Sequence, residues 1–306
     1  MMRISVIVLV LFSLISCKSK VVSRDREGKR PLDYPKQQFD GVKKKVALLT
    51  FFNESPYGGE DLGIVATEHM RSELLRTGEF LIDPMGKKLF GSSKEVYAGG
   101  GVKLAQLSKK AKVQGINFVL FGRIIRARIR EKTDEIGLVR KTKSYTESEI
   151  EVRIFDVNSN KEIYSDTIGG FAEDASFNFF TSNRESKLSY RRELLRYGVK
   201  VAIRRVVPRV IKISSKLDWI GRVAKIVGSK IYVNAGRESG IQISDVLKVL
   251  TEGQEIFDPE SGALIGISKG EIKGTLEIVD YFGPDGAIAI LHSGGSVQEG
   301  DFVMLY

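Results

Sequence analysis

The chain has 306 residues, of which 42% are hydrophobic, and this is enough apolar material for two domains of ordinary size. It contains a single cysteine, which excludes an intramolecular disulfide and a cysteine-rich metal site. Lys and Arg outnumber Asp and Glu by 48 to 38, for a formal net charge of +10. This charge favours anionic partners such as nucleic acid, acidic proteins, anionic lipid or cell-wall polymer.

The first residues have the features of a secretion signal. An apolar run over residues 4–15 follows Arg3, and it is shorter than the about 20 residues of a membrane-spanning helix. At its end, Leu14-Ile15-Ser16-Cys17 resembles the lipobox of bacterial lipoproteins. The resemblance implies that residues 1–16 are a signal peptide and that Cys17 becomes the lipidated first residue of the mature chain. The alternative is an uncleaved anchor in which the cysteine is incidental.

Lipidation of Cys17 changes what the positive charge implies. An exported lipoprotein does not normally meet nucleic acid, so we expect no nucleic-acid partner and retain anionic lipid, cell-wall polymer and acidic proteins. The acyl chains bury enough methylene groups to hold the chain on a membrane without a spanning helix. Lys18 follows the cysteine, where an aspartate would mark inner-membrane retention in enteric bacteria. We therefore expect a lipid anchor in the outer membrane and folded domains that face the periplasm.

Residues 17–43 are predicted to be the lipidated cysteine and a flexible tether. The segment is polar, mixed in charge and interrupted by Pro31 and Pro35. Such a composition cannot bury enough apolar area to offset the entropy lost on ordering.

Residues 44–215 are predicted to form an α/β domain with a mixed sheet. The apolar patterns predict strands over residues 44–55, 78–84 and 116–129, then two strands around the Asn158-Ser159-Asn160 turn. They predict helices over residues 61–77, 102–111 and 187–214.

Two details of these helices are also predicted. Gly99-Gly100-Gly101 is interpreted as a flexible connection before the second helix, since it lacks the Gly-Lys-Ser/Thr of a phosphate-binding loop. Pro208 is predicted to kink or stop the last helix near Arg204.

Three stretches of this domain resemble the CsgG family of curli-secretion lipoproteins and the related TolB amino-terminal-like domains. They are "KKVALLTFFNES" (44–55) with its polar turn, "VQGINFVLFGRI" (113–124) with glycines at both ends, and "EIEVRIFDVNSNKEIY" (149–164) with its hairpin. The resemblance implies a lipid anchor, the predicted fold and a tendency to form rings.

Residues 216–306 are predicted to form a small antiparallel β-barrel, because short apolar runs alternate with glycine-containing turns. "IFDPESGALIG" (256–266), together with the terminal "EGDFVML", is similar to the C-terminal domain of the flagellar protein FlgT. Asp258 is predicted to begin a turn in which Gly262 takes a positive φ. This turn is preferred to an interpretation of Asp258 and Glu260 as an acid–base pair.

No catalytic constellation is recognised in the sequence. The two histidines are His69 and His292, and no cysteine lies near either. His69 has the position of a half-buried packing residue on its helix, since a metal or acid–base role would need a partner at ligand spacing. We therefore expect a protein that is not an enzyme and that has no cofactor and no metal.

A basic stripe follows one face of the predicted helix over residues 187–214. It consists of Arg192, Arg196, Lys200 and Arg204, which recur every four residues. One interpretation is a solvated helix exterior, and the other is a surface that binds a partner subunit or an anionic surface. Together with Cys17, the basic stripe is the candidate functional site of the sequence.

The leading hypothesis is a structural or assembly subunit of an envelope complex, of the secretion or flagellar ring type, either as a homo-oligomer or with other envelope proteins. One alternative is a monomeric tethered module that docks on and activates an envelope enzyme. Another is a subunit of a CsgG-like export pore, which would need membrane strands of about 9 to 11 residues with an apolar outer face. Residues 126–149 carry charges on both predicted faces and fail this test, and residues 171–193 are marginal.

Overall fold

The computed structural model describes residues 39, 41–133, 142–174, 184–262, 264–268 and 270–306. The predicted signal peptide, Cys17 and nearly all of the predicted tether lie outside the described residues.

A mixed sheet occupies the centre of the first part of the chain, as predicted. Its strands run in the order β3-β1-β4-β5-β6, and β2 pairs with β4. β1 is parallel to β3 and β4, whereas β4, β5 and β6 are antiparallel. The six strands are β1 (Lys44–Leu48), β2 (Phe52–Asn53), β3 (Phe80–Ile82), β4 (Phe118–Thr133), β5 (Thr142–Asp156) and β6 (Lys161–Asp174).

Helices cover the two faces of this sheet. The helices are α1 (Asp61–Thr77), α2 (Gly86–Phe90), α3 (Ser93–Val113) and α4 (Arg184–Ser214). Val46 and Leu48 of β1 belong to the core under α1 and α4, while the alternate residues Ala47 and Leu49 belong to the core under α2 and α3. Because residues 46–49 are buried on both faces of the sheet, they form a continuous apolar run, whereas Lys44 and Lys45 at the start of β1 are half-buried.

α3 begins earlier than predicted. It starts at Ser93, so that Gly99-Gly100-Gly101 lie inside the helix and do not form a connection before it. Ser92 and Glu95 form a capping box, in which the Ser92 hydroxyl accepts from the Glu95 amide and the Glu95 carboxylate accepts from the Ser92 amide. This cap and the burial of Val96 and Leu104 offset the about 1 kcal/mol that each helical glycine costs.

α4 does not stop near Arg204, and this part of the prediction for Pro208 is wrong. The helix continues through Pro208 to Ser214. Val206, Val207 and Val210 beside the proline are fully buried. Burial of three such side chains, at about 1.5 to 3 kcal/mol each, exceeds the about 3 kcal/mol that a proline costs inside a helix.

α4 approaches the sheet through glycines. A Cβ atom on Gly170 of β6 would lie 2.4 Å from the carbonyl oxygen of Gly198 in α4. The Ser148 hydroxyl of β5 donates to that same carbonyl over 2.8 Å. The helix therefore sits on the sheet at a distance that only small residues permit.

The second part of the chain is a closed antiparallel barrel, as predicted. The strands are hydrogen-bonded in the order β12-β13-β8-β7-β14-β9, and β10 and β11 form a separate two-stranded hairpin. The core of the barrel includes Trp219, Leu247, Leu276 and Val303. The strands are β7 (Gly221–Val227), β8 (Lys230–Val233), β9 (Val246–Leu250), β10 (Glu255–Phe257), β11 (Leu264–Ile267), β12 (Ile272–Phe282), β13 (Gly286–Gly294) and β14 (Phe302–Leu305).

Two asparagines connect the sheet domain to the barrel. The Asn117 side chain accepts from the Lys45 amide over 2.9 Å and donates to the Ile220 carbonyl over 3.0 Å. The Asn234 side chain of the barrel donates to the Val113 carbonyl at the end of α3 over 3.3 Å. The two domains therefore meet through directional hydrogen bonds.

Candidate functional site

One face of the extended strands β4, β5 and β6 is open. Ala127 and Ile129 of β4 pack into the core that α4 covers, whereas Arg126, Arg128 and Arg130 alternate with them and point to the opposite side. The Arg126 and Arg130 side chains are about half exposed, at 49% and 47%. This surface, with Glu147 and Glu149 of β5 and Phe171 of β6, is called the open face below.

Ion pairs cross the open face from β4 to β5. The Arg126 guanidinium lies 2.9 Å from the Glu149 carboxylate, and Arg128 lies 2.6 Å from Glu147. Arg130 approaches Glu147 at 3.5 Å, so this carboxylate is shared by two arginines. The pairs follow the strand register, in which Arg126 faces Glu149 and Arg128 faces Glu147.

Two arginines of α4 add to this surface at the edge of β6. Arg205 donates to the Gly169 carbonyl over 2.9 Å, and Arg209 is paired with Asp166. Together with the open face they line a cavity of about 980 Å³, which we call the arginine groove. Its lining includes five arginines and two glutamates, so it is positively charged. These residues are Arg126, Arg128, Arg130, Arg205 and Arg209 with Glu147 and Glu149.

The chemistry of the arginine groove is suited to binding anions. Exposed ion pairs of this kind each contribute about 0 to 1 kcal/mol, so the arginines exchange partners at little cost. Guanidinium groups offer planar pairs of donors that match a carboxylate or a phosphate. An anionic group that enters the groove can therefore compete with Glu147 and Glu149.

A second charged cluster lies on the same face at the end that α3 covers. Glu151 is buried, and its carboxylate accepts hydrogen bonds from Arg123 and, over 2.7 Å, from Arg153. The Tyr97 ring of α3 lies 4.8 Å from the Arg123 guanidinium and 4.7 Å from that of Arg153. The arginines therefore stack on the aromatic ring while they hold the carboxylate.

The pKa shifts in this cluster describe a structural ion pair. Burial raises the pKa of the Tyr97 hydroxyl, and the charge of Glu151 adds to the effect. Burial also acts to raise the pKa of Glu151, but the hydrogen bonds from Arg123 and Arg153 outweigh it and hold this pKa below its usual range. The carboxylate is thus ionised and both guanidinium groups are engaged.

The predicted basic stripe lies on α4 beside α1. Arg192, Arg196 and Lys200 are exposed, and Arg196 lies 3.8 Å from Asp61. Arg204 is half-buried and lies 3.3 Å from the buried Glu73. A partner-binding role for these four residues stays a prediction, and Cys17 lies outside the described residues.

His69 lies on α1, half-buried and near Arg204 of α4, where a packing role was predicted. Its ring nitrogen is 3.6 Å from the Glu73 carboxylate. Burial lowers the pKa of His69 to about 4, against the attraction of Glu73, and Arg204 contributes to the lowering. The ring is therefore neutral at pH 7.

Three further features are metal-ligand groups, membrane-spanning helices and the turn at Asp258. Within the described residues, no three His, Cys, Asp or Glu side chains are grouped closely enough to bind a metal ion. In the same part of the chain, no helix is both long and apolar enough to span a membrane. Asp258 accepts from the amides of Glu260 and Ser261, and Gly262 has a φ of 66°, so the predicted turn is present.

The arginine groove was missed by the sequence interpretation, which considered residues 126–149 only as a possible membrane segment. In the described part of this segment the arginines of β4 share one face with Glu147 and Glu149 of β5. The period of two in "RARIR" (126–130) and "ESE" (147–149) was the available signal. In its described parts, the other segment, 171–193, is the end of β6 and the start of α4, in agreement with the helix predicted from residue 187.

Comparison with known proteins gives structural similarities only. No protein-family model matches the chain, and no curated protein matches it. The hypothetical protein CT253 from Chlamydia trachomatis is similar to it with 17% identity and a TM-score of 0.36, over 55% of this chain and 96% of that one.

Bacterial lipoproteins are among the other similar structures. Lipoprotein GNA1162 from Neisseria meningitidis has 15% identity and a TM-score of 0.28, over 56% of this chain and 98% of that one. The C-terminal domain of LpoB from Salmonella enterica has 15% identity and a TM-score of 0.27, over 42% and 83%. At these values we draw no functional conclusion from the similarities.

Proposed function

We propose that this chain is a lipid-anchored, non-enzymatic docking and assembly protein of the bacterial outer membrane, with its folded domains in the periplasm. The arginine groove is its docking surface. The observation that carries this proposal is the exposure of the arginines on one face of a sheet whose other face is closely packed against α4.

The anchor in this proposal is supported by Leu14-Ile15-Ser16-Cys17 and by the polar segment after it. A flexible tether of about 26 residues has a root-mean-square span of about 25 to 30 Å. Such a tether keeps the arginine groove near the membrane and leaves it free to turn toward a partner.

A docking role is supported by the ion pairs of the charged groups. Glu151 is ionised and held by two arginines, and the groove glutamates are paired across the strands. The exposed arginines of these pairs can exchange a glutamate for an anionic group of a partner and hold that group in the groove. Membership of an envelope complex of the secretion or flagellar type is the form of assembly that the resemblance in the sequence implies.

The anchor is tested with full-length wild type and Cys17→Ala in a bacterial host fed an alkyne-tagged palmitate. We expect the wild type to carry the label and to sediment with outer membranes, and the variant to do neither. A labelled Cys17→Ala chain, or a wild-type chain in the soluble periplasmic fraction, would contradict the proposal.

The docking surface is tested on wild type and on the double variant Arg126→Gln/Arg128→Gln, extracted from native membranes in mild detergent. We expect the variant to remain in the membrane fraction but to run in a complex of lower mass by light scattering. Arg192→Gln/Arg196→Gln removes the same charge from the basic stripe and serves as the matched control. An unchanged mass for the groove variant would overturn the docking role, and a loss confined to the control would move the site to the basic stripe.

A further inference from the structure

The two domains of the chain carry opposite charge. Residues 44–215 contain 31 Lys and Arg against 21 Asp and Glu, whereas residues 216–306 contain 8 against 13. Two copies are therefore attracted when the sheet domain of one faces the barrel of the other. The same orientation also separates like-charged domains.

A negatively charged and partly apolar hairpin extends from the barrel. Residues 251–268, which include β10 and β11, contain four acidic residues and no Lys or Arg, and we call this segment the acidic hairpin. Ile256, Phe257 and Ile265 within it are about half exposed, at 48%, 52% and 55%. Apolar side chains that are exposed on a surface and bordered by charge are typical of an interaction site. The acidic residues are Glu252, Glu255, Asp258 and Glu260.

The arginine groove has the complementary composition. Its arginines outnumber its glutamates by five to two, and Phe171 provides an aromatic surface beside Tyr145, with the two ring centres 5.4 Å apart. Arginine and aromatic residues are the side chains that dominate binding at protein interfaces. Acidic and apolar groups of the hairpin therefore have matching partners in one cavity.

The hairpin cannot reach the groove of its own chain. The Lys161 ammonium at the start of β6 donates to the Ile265 carbonyl, which fixes the hairpin at that end of the strand. The groove lies around Gly169 and Phe171, and eight residues of extended strand span about 26 Å. The groove of another copy is not subject to this limit.

We infer that copies of this chain associate head to tail, with the acidic hairpin of one copy bound in the arginine groove of the next. This inference rests on the proposed function, since it names the occupant of the docking surface. Each copy has one groove and one hairpin, so the contact is heterologous. It generates a closed ring when the rotation between neighbours closes, and a filament when it does not.

Three forms of the full-length chain in mild detergent test this inference by sedimentation velocity. They are the wild type, the groove variant Arg126→Gln/Arg128→Gln and the hairpin variant Glu255→Gln/Glu260→Gln. We expect the wild type to assemble beyond a dimer. Its self-association should become weaker as the salt concentration is raised. The dissociation constant for self-association should rise about 10-fold or more in each variant, because charged pairs at the contact are lost.

Mixing the two variants gives the sharpest result. The groove variant retains an intact hairpin and the hairpin variant retains an intact groove, so an equimolar mixture should form one-to-one dimers and stop there. Glu238→Gln/Asp280→Asn removes the same charge elsewhere on the barrel, and this control should assemble like the wild type. Circular dichroism and urea unfolding check that every variant is folded.

The inference is overturned if the wild type stays monomeric at low salt, if the hairpin variant assembles like the wild type, or if the mixture stays monomeric. Its failure is distinguishable from that of the proposed function in complexes extracted from native membranes. A complex lost in the groove variant but kept in the hairpin variant would leave the docking surface in place and give it a different occupant. A complex unchanged in both would overturn the proposed function as well.

Discussion

The same three strands, β4, β5 and β6, form one face that is closely packed and one face that is exposed. On one face Gly170 leaves no room for a Cβ atom against α4, and on the other Arg126 is half exposed in the arginine groove. Because side chains alternate along a strand, neighbouring residues serve the two purposes separately. Packing can thus be changed on one face while binding is changed on the other, and both can be measured in the same molecule.

The largest effect is expected on the packed face, from Gly170→Ala. The new Cβ atom would lie 2.4 Å from a backbone oxygen and 2.7 Å from a backbone nitrogen of α4, so the helix must move. We expect a loss of about 3 kcal/mol in the free energy of unfolding, measured by urea denaturation. The matched control is Gly169→Ala, whose Cβ would meet only the Ser148 carbonyl at 3.8 Å. Similar losses for the two variants would show that the glycine contact is unimportant.

A smaller effect is expected from Glu151→Gln, under α3. The substitution keeps the volume but removes the negative charge that Arg123 and Arg153 share. We expect a loss of about 2 kcal/mol in the free energy of unfolding, because Arg123 and Arg153 lose their buried counterion and keep only the more exposed Glu54 and Glu162. Glu149→Gln on the open face should cost about 0.5 kcal/mol or less. If both variants lost the same free energy, the distinction between covered and open ends of this face would be wrong.

The pH dependence of the free energy of unfolding tests the burial of His69 on α1, near α4. The pKa of His69 is lowered from 6.5 to about 4 on folding, so the unfolded chain binds a proton as pH falls and the folded chain does not. The contribution of the neutral His69 ring to the free energy of unfolding is fully present above pH 6.5. It is lost as pH falls from 6.5 toward 4. After allowance for partial exposure of the ring, we expect wild type to lose about 1 to 2 kcal/mol more than His69→Gln over this range. Parallel pH profiles would contradict this assignment.

The smallest effect on stability is expected on the open face itself. Arg126→Gln should change the free energy of unfolding by about 0.5 kcal/mol or less, since exposed ion pairs contribute little. The same variant should weaken complex formation in detergent extracts. A large loss of stability would show that the ion pairs of the open face hold the sheet together, and the separation of the two faces would fail.

Much of the fold could be predicted because apolar periodicity is strong in this sequence. The α1 helix over residues 61–77 lies where the pattern placed it, and the predicted antiparallel barrel is present. The errors occurred where tertiary packing outweighs local preference. Gly99-Gly100-Gly101 is helical between buried positions, and α4 continues through Pro208 because valines on both sides are buried.

The candidate site was harder to predict because it belongs to no single segment. The basic stripe is visible as a four-residue period within one helix, whereas the arginine groove combines β4, β5, β6 and α4. The alternation in "RARIR" marks one face of a strand, but only the strand register shows that Glu147 and Glu149 lie opposite it. The contribution of Arg205 and Arg209 depends on how α4 lies on the edge of β6, which local sequence does not encode.

The contacts of Asn117 have a mechanical consequence. Its side chain connects the Lys45 amide of β1 to the Ile220 carbonyl before the barrel, and the Lys43 amide donates to the Ser239 carbonyl of the barrel over 2.8 Å. A pull on the amino-terminal segment therefore reaches both domains at once, at their junction. β1 lies between β3 and β4 and is hydrogen-bonded to both, so these two strands share a force that acts on it. A force applied where the chain enters the fold is thus distributed over both domains.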